Sequence, residues 1–201
     1  MPLALWALTI SAFAVGTTEF VIVGLLPTIA ADLGVSIPSA GLLVSLYALG
    51  VTIGAPVLTA MADRVPRKTL LLLLLALFTL GNAYAAFAPD YGSLVAARFI
   101  TGLAHGVFFA IASTIATDLV EPEKESSAIA LVFLGLTVAL VTGVPLGTFI
   151  GQNFGWQSTF LGVVVLGVIG FIASAVLLPA NLTKTASAGI KAQLQVLTSP
   201  R

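Results

Sequence analysis

LWALTISAFAVGTTEFVIVGLL, residues Leu5–Leu26, is the stretch that decides the fold class of this chain. The hydrocarbon core of a bilayer is about 30 Å thick and a helix rises about 1.5 Å per residue, so about 20 apolar residues suffice to cross it. Glu19 is the lone carboxylate in this stretch. A carboxylate at that depth costs several kcal/mol unless it is protonated, paired or in contact with water. Glu19 is therefore a candidate proton site or transport site.

The composition of the 201-residue chain is typical of a protein whose surface faces lipid. Hydrophobic residues make up 59% and charged residues 8%, and the mean hydropathy is +1.14. Water-soluble domains carry roughly a quarter charged residues. A formal net charge of zero argues against nucleic acid as a partner. With no cysteine and one histidine, neither a thiolate metal site nor a cofactor is expected.

Hydrophobic segments separated by short polar loops predict an all-α, six-helix transmembrane bundle over residues 1–180. The predicted spans cover residues 4–26, 38–60, 69–88, 93–117, 127–151 and 158–179. Residues 181–201 are predicted to begin a cytoplasmic linker. In it, Ile190, Leu194 and Leu197 recur at helical spacing, which fits either a short amphipathic helix on the membrane surface or a disordered tail.

The positive charges predict the orientation of the spans. Cytoplasmic loops carry the excess of lysine and arginine, and here the first, third and fifth loops carry none. We therefore expect both termini in the cytoplasm. The basic residues lie in the second loop, the fourth loop and the tail: Arg64, Arg67, Lys68, Lys124, Lys184, Lys191 and Arg201.

Two fully charged side chains fall well inside the predicted spans, Glu19 and Arg98. They are expected at similar depth and could pair, either as a proton or substrate site or as a fixed structural ion pair. Arg98 could instead reach the outer interface. His105 could relay protons or serve in packing. Tyr47 and Asn82 could contact a ligand or form polar contacts between helices.

Small residues line the fourth and fifth spans at every fourth position. Such spacing brings helix backbones close together inside lipid. Pro145 removes one backbone hydrogen bond and is expected to bend the fifth span. The pattern fits either static packing or a helix whose bending matters for function. The glycines concerned are Gly102 and Gly106 in the fourth span, and Gly135, Gly143, Gly147 and Gly151 in the fifth.

Four stretches carry recognisable motifs: Gly16–Ser36 (GTTEFVIVGLLPTIAADLGVS), Asp63–Lys68 (DRVPRK), Arg98–Gly102 (RFITG) and Gly143–Gly147 (GVPLG). In that order they resemble an opening span, a D-R-x-G-R-K signature loop, an R-x-x-x-G motif associated with proton coupling, and a glycine-proline motif of antiporters. Together they resemble the N-terminal half of a major facilitator superfamily transporter, in the bacterial drug and sugar efflux branch of proton antiporters.

The chain departs from that family pattern in three places. Thr59 and Pro66 stand where the signature loop has glycines, and Glu125 stands where an arginine often follows the fourth span. Family members have twelve spans in two halves, each a 3+3 inverted repeat. This chain resembles only one half.

The resemblance implies secondary active export of a small molecule in exchange for protons across the bacterial inner membrane, and no catalytic residue set suggests an enzyme. It implies that Glu19 and Arg98 line the coupling site, and that Asp63, Arg64 and Arg67 form a cytoplasmic gate. It also implies a second half, either a separate C-terminal chain or a parallel copy of this one. The alternative is a truncated, transport-inactive half that acts as a membrane scaffold.

Overall fold

The computed structural model describes residues 2–62, 65–180 and 182, and in these residues six helical spans are long and apolar enough to cross a membrane. The fifth span consists of two α-helices joined by a π turn (Ala139–Gly143) and follows a 3₁₀ turn at Pro122–Lys124. The predicted amphipathic helix of the tail lies outside the described residues. The α-helices are α1 (Leu3–Leu33), α2 (Ile37–Ala62), α3 (Arg67–Ala86), α4 (Tyr91–Asp118), α5 (Glu125–Val138), α6 (Val144–Phe154) and α7 (Trp156–Leu177).

Helix α1 extends beyond the predicted end of the first span. The prediction stopped at residue 26, just before Pro27, but the helix continues through Pro27 to Leu33. A proline is tolerated in a membrane helix where neighbouring helices support the backbone, and α1 packs against spans on several sides. The helix ends at Gly34, whose φ of 64° is left-handed, and the Val35 N–H donates to the Ala30 carbonyl at 3.0 Å.

The contacts between spans show an inverted repeat. The second span packs on the fourth and the fifth on the first, while the third packs on the fourth and the sixth on the first. Exchange the first span with the fourth, the second with the fifth and the third with the sixth. The contact of the second with the fourth span then becomes that of the fifth with the first, and the contact of the third with the fourth becomes that of the sixth with the first, so the set is unchanged. The first and fourth spans run in opposite directions, so the bundle is one 3+3 inverted repeat, as the family resemblance implies.

Glycines allow the closest of these crossings. A Cβ on Gly102 would fall on the Tyr47 carbonyl oxygen and 3.2 Å from the Gly50 Cα, so α2 and α4 meet backbone to backbone. Where the fifth span crosses α1, a Cβ on Gly135 would likewise fall on the Thr9 carbonyl oxygen. The two crossings are equivalent under the repeat.

The distortion expected at Pro145 takes the form of the π turn just before it. In that turn the Val144 N–H donates to the Ala139 carbonyl, five residues back. A π turn redistributes hydrogen bonds next to a proline that cannot donate one. The fifth span therefore changes its helical geometry midway, between Val138 and Val144.

Candidate functional site

The first four helices bring the five predicted cavity residues into one connected cluster. Glu19 lies midway along α1, Arg98 and His105 lie two turns apart on α4, and Tyr47 and Asn82 come from α2 and α3. The contacts run from Glu19 through His105, Tyr47 and Arg98 to Asn82, with Thr18 as the final link. Residues 98 and 105 share a face because seven residues make about two helical turns.

Arg98 is 1% exposed, and only some of its hydrogen-bond donors have a partner. Its Nη1 donates to the Thr18 carbonyl oxygen at 2.9 Å, and its guanidinium carbon lies 4.0 Å from the centroid of the Tyr47 ring. A cation over an aromatic face is stabilised electrostatically. The Nε and Nη2 atoms are buried without a hydrogen-bond partner. Two donor nitrogens of this buried, positively charged side chain therefore remain without an acceptor.

The direct Glu19–Arg98 ion pair considered from the sequence does not form. The guanidinium is held by Thr18 and the Tyr47 ring, whereas the Glu19 carboxylate is directed toward His105. Arg98 also does not extend to an interface, since it is buried. The two residues do occupy one cluster, on neighbouring helices α1 and α4.

The Nδ1 atom of His105 has two polar neighbours. The Tyr47 hydroxyl lies 2.8 Å away, and Oε2 of Glu19 lies 3.8 Å away. A neutral imidazole offers one donor and one acceptor nitrogen, so its tautomer decides what Nδ1 can do. The Glu19 side chain is 28% exposed, whereas Tyr47 and Arg98 are almost fully enclosed. Glu19 is therefore the member of the cluster that a proton or a ligand can reach from outside.

Asn82 is fully buried in this structure and links α1 to α3 through hydrogen bonds. The Thr18 hydroxyl donates to Oδ1 of Asn82 at 2.6 Å, and Nδ2 of Asn82 donates to the Phe78 carbonyl at 2.8 Å. Both Thr18 and Asn82 are fully buried. Of the two roles considered for Asn82, the structure shows the polar contact between helices. Thr18 was not singled out from the sequence, although its position beside Glu19 offered a signal.

Aromatic rings continue from His105 toward the fifth span. The Phe109 ring lies 5.2 Å from the His105 ring, and the Phe133 ring stacks on Phe109 at 5.1 Å with 27° between the planes. Such pairs add stability beyond the area they bury. Neither phenylalanine was predicted, although Phe109 follows His105 by one helical turn.

The described part of the signature loop, at the start of α3, contacts the ends of α4 and α7. Arg67 forms an ion pair with Asp118 at the end of α4. The Lys68 ammonium donates to the carbonyl oxygens of Ala175 and Leu178 at 2.8 and 2.6 Å, which caps the end of α7. Asp63 and Arg64 lie outside the described residues, so their predicted role in a gate stays a prediction.

Family comparison matches residues 8–199 to the Major Facilitator Superfamily. The chain is 53% identical to the "Uncharacterized MFS-type transporter YtbD" of Bacillus subtilis (strain 168), over 98% of this chain and 50% of that protein. It is 38% identical to the "Chloramphenicol resistance protein" of Streptomyces lividans, over 100% of this chain and 52% of that protein. The chain thus spans about half the length of the curated relatives it matches.

A solved structure has the same fold. The crystal structure of the peptide transporter POT in complex with sulfate superposes with a TM-score of 0.81 at 15% identity. The match covers 98% of this chain and 44% of that one. At this identity the likeness shows the fold, which corresponds to one half of the larger structure.

Proposed function

This chain belongs to the Major Facilitator Superfamily, and from that membership we propose that it forms one half of a transporter that exports a small molecule in exchange for protons. The named resistance function of the Streptomyces lividans relative supports export. The observation that carries proton coupling is the cluster itself. It combines the partly exposed carboxylate of Glu19, which lies near His105, with a buried arginine whose Nε and Nη2 atoms have no hydrogen-bond partner.

The proposed coupling follows from charge balance around Arg98. When Glu19 is ionised, its negative charge offsets the buried positive charge of Arg98 across the cluster. When Glu19 binds a proton, that compensation is lost, and the buried positive charge of Arg98, whose Nε and Nη2 atoms already lack partners, favours a polar or anionic group in the site. Proton binding at Glu19 therefore changes how strongly the cluster attracts a polar or anionic group. In the proposed exchange, this change couples proton binding to the binding or release of the substrate.

The test compares two chemically identical substitutions. Glu19→Gln keeps the shape of the side chain but cannot release a proton, so export driven by a pH gradient should be lost while membrane insertion stays normal. Glu123→Gln makes the same change at an exposed turn residue and should leave export unchanged. Both variants are made in the complete transporter, and export is measured in proteoliposomes. Full pH-driven export by Glu19→Gln would refute the proposal.

We also propose that a second half covers the side of the bundle on which Glu19 is exposed. Leaving an ionisable group against lipid costs several kcal/mol, and a covering half places Glu19 at an enclosed interface. The second half is a separate C-terminal chain or a parallel copy of this one. Reconstitution of this chain alone, with crosslinking, tests the proposal. A stable monomer that moves substrate against its gradient would refute it.

A further inference from the structure

A separate cavity lies between α1, α6 and α7, and it takes no part in the charged cluster. Its volume is about 230 Å³ and it opens to the outside of the bundle. A cavity of about 150 Å³ lined by apolar side chains stays dry and takes up benzene, so this one has room for a substantial apolar group. Lining residues include Phe13 and Thr17 on α1, Gly143 in the π turn, Gly147 on α6, and Gly162 and Leu166 on α7.

Three of the lining residues are glycines, and they play different parts in the packing around the cavity. A Cβ on Gly143 or Gly147 would meet side chains of α1, so these two glycines bring the fifth span close to α1. A Cβ on Gly162 would meet nothing within 4 Å. The space in front of Gly162 is therefore open and is not filled by any described side chain. Because the cavity is apolar and opens to the outside of the bundle, an apolar group from the surroundings of the protein can enter it.

The cavity lies on the opposite side of α1 from the charged cluster. Phe13 and Thr17 are one turn apart and share a face of the helix, whereas Thr17 and Glu19 are two residues apart, or about 200° around the axis. A second half that covers Glu19 therefore leaves this cavity uncovered. Leu146 lines the cavity on α6 and is 60% exposed, and Val165 on α7 is 58% exposed. On a membrane-spanning helix, such a surface faces lipid hydrocarbon.

We propose that this cavity binds an acyl chain of a membrane phospholipid. The inference rests on membrane insertion and on the walls of the cavity, and does not depend on proton coupling. The chain would lie against Gly143 and Gly147, immediately beside the π turn of the fifth span. It would therefore fill the space into which that span could otherwise shift.

Photocrosslinking distinguishes a chain inside the cavity from lipid that merely surrounds the protein. The probe is a phosphatidylethanolamine with a diazirine near the end of one acyl chain, reconstituted with the complete protein in liposomes and mapped by mass spectrometry. Lipid at the surface labels Val165, which is exposed outside the cavity. A chain inside the cavity also labels Phe13, on α1. We expect adducts at both residues.

Two leucine substitutions provide the matched comparison. Gly162→Leu places a side chain in the open space and should abolish the Phe13 adduct while the Val165 adduct remains. Gly41→Leu makes the same change at a glycine of α2 that also has nothing within 4 Å, and should keep both adducts. If Gly162→Leu fails to insert, the smaller Gly162→Val replaces it.

Three results would overturn the proposal. Labelling of Val165 without Phe13 in the unaltered protein would mean that lipid only surrounds the helices. A Phe13 adduct that persists when Gly162 is filled would mean that the chain reaches Phe13 by another route. Loss of the Phe13 adduct on addition of a transported substrate would assign the cavity to the substrate.

Discussion

The phenolic oxygen of Tyr47 and Nδ1 of His105 lie 2.8 Å apart, and this hydrogen bond joins α2 to α4 beside the carboxylate of Glu19. The same Tyr47 ring lies over the guanidinium of Arg98. One side chain on α2 therefore contacts both α4 residues of the cluster, His105 and Arg98. The contribution of its hydroxyl can be separated from that of its ring.

We expect Tyr47→Phe to cost much less stability than Tyr47→Ala. The phenylalanine variant loses one hydrogen bond, worth about 0.5–1.5 kcal/mol of unfolding free energy, and keeps the ring over Arg98. The alanine variant also loses a buried aromatic ring, and truncations of this kind cost about 3–5 kcal/mol. Unfolding of the purified protein in detergent or bicelles measures both. Equal losses in the two variants would show that the ring contributes nothing.

Arg98→Met should abolish transport without lowering stability. Burying a charge that is only partly hydrogen-bonded costs free energy, and an apolar side chain of similar volume does not carry that cost; two nitrogens of Arg98 already lack partners. Export assays and thermal unfolding on the same preparation test the two expectations together. A variant that exports normally would show that the charge of Arg98 is not needed. A strongly destabilised variant would show that its role is structural.

The Gly102→Ala substitution should destabilise the bundle even though alanine is the better helix former. Its Cβ would meet the Tyr47 carbonyl and the Gly50 Cα, so α2 and α4 must separate. Overpacking of this kind costs about 1–3 kcal/mol. Gly162→Ala is the control, because its Cβ meets nothing within 4 Å and it should gain up to about 1 kcal/mol from helix propensity. Both are measured by unfolding, and equal effects would contradict the close crossing.

Asp90 provides a pH-dependent contribution to stability at the start of α4. Its carboxylate accepts a hydrogen bond from the Ser93 backbone N–H at 2.8 Å, and this bond lowers the pKa of Asp90 below its usual value. A lowered native pKa means that the stabilisation is present above the ordinary carboxyl pKa and disappears as the pH falls through the native one.

The Asp90→Asn variant isolates that contribution, because asparagine still caps a helix but does not titrate. The protein should melt at a higher temperature than Asp90→Asn at neutral pH, and the difference should vanish in acid. Asp90→Ala, which removes the cap altogether, should be less stable at every pH. A difference between the protein and Asp90→Asn that persists unchanged in acid would contradict a role for the ionised carboxylate.

Single cysteines at the two ends of the fifth span test the predicted orientation in this cysteine-free chain. Ser126 and Asn153 are both exposed, at the start of α5 and near the end of α6. Ser126 is close to Lys124, so it should face the cytoplasm. An impermeant maleimide added to intact cells should label Asn153→Cys and leave Ser126→Cys unlabelled until the membrane is opened. The reverse pattern would invert the topology.

The sequence predicted the spans well because crossing a membrane imposes a local requirement. A helix needs a continuous apolar stretch of sufficient length, and that property is visible without knowing the neighbours. The first span was predicted to end at residue 26, whereas the helix that contains it continues through Pro27 to Leu33. Whether a proline such as Pro27 can stay inside a membrane helix depends on the helices packed around it.

In the candidate site, too, the sequence predicted the residues but not the contacts between them. Glu19, Arg98 and His105 stand out in the sequence because polar groups are costly inside a membrane, and they do lie in one cluster. Their partners could not be predicted in the same way. Arg98 is held by a backbone carbonyl of α1 and a ring of α2, and such contacts depend on helix rotation and crossing distance.

By itself, therefore, the sequence determined the class of this protein, its six spans and the residues whose burial demands an explanation. Hydropathy and motif order are properties of the chain, and no packing is needed to recognise them. Only the tertiary structure decided that Glu19 is directed toward His105 rather than Arg98, and that an open cavity lies in front of Gly162. Both depend on distances between helices, which short-range sequence patterns do not specify.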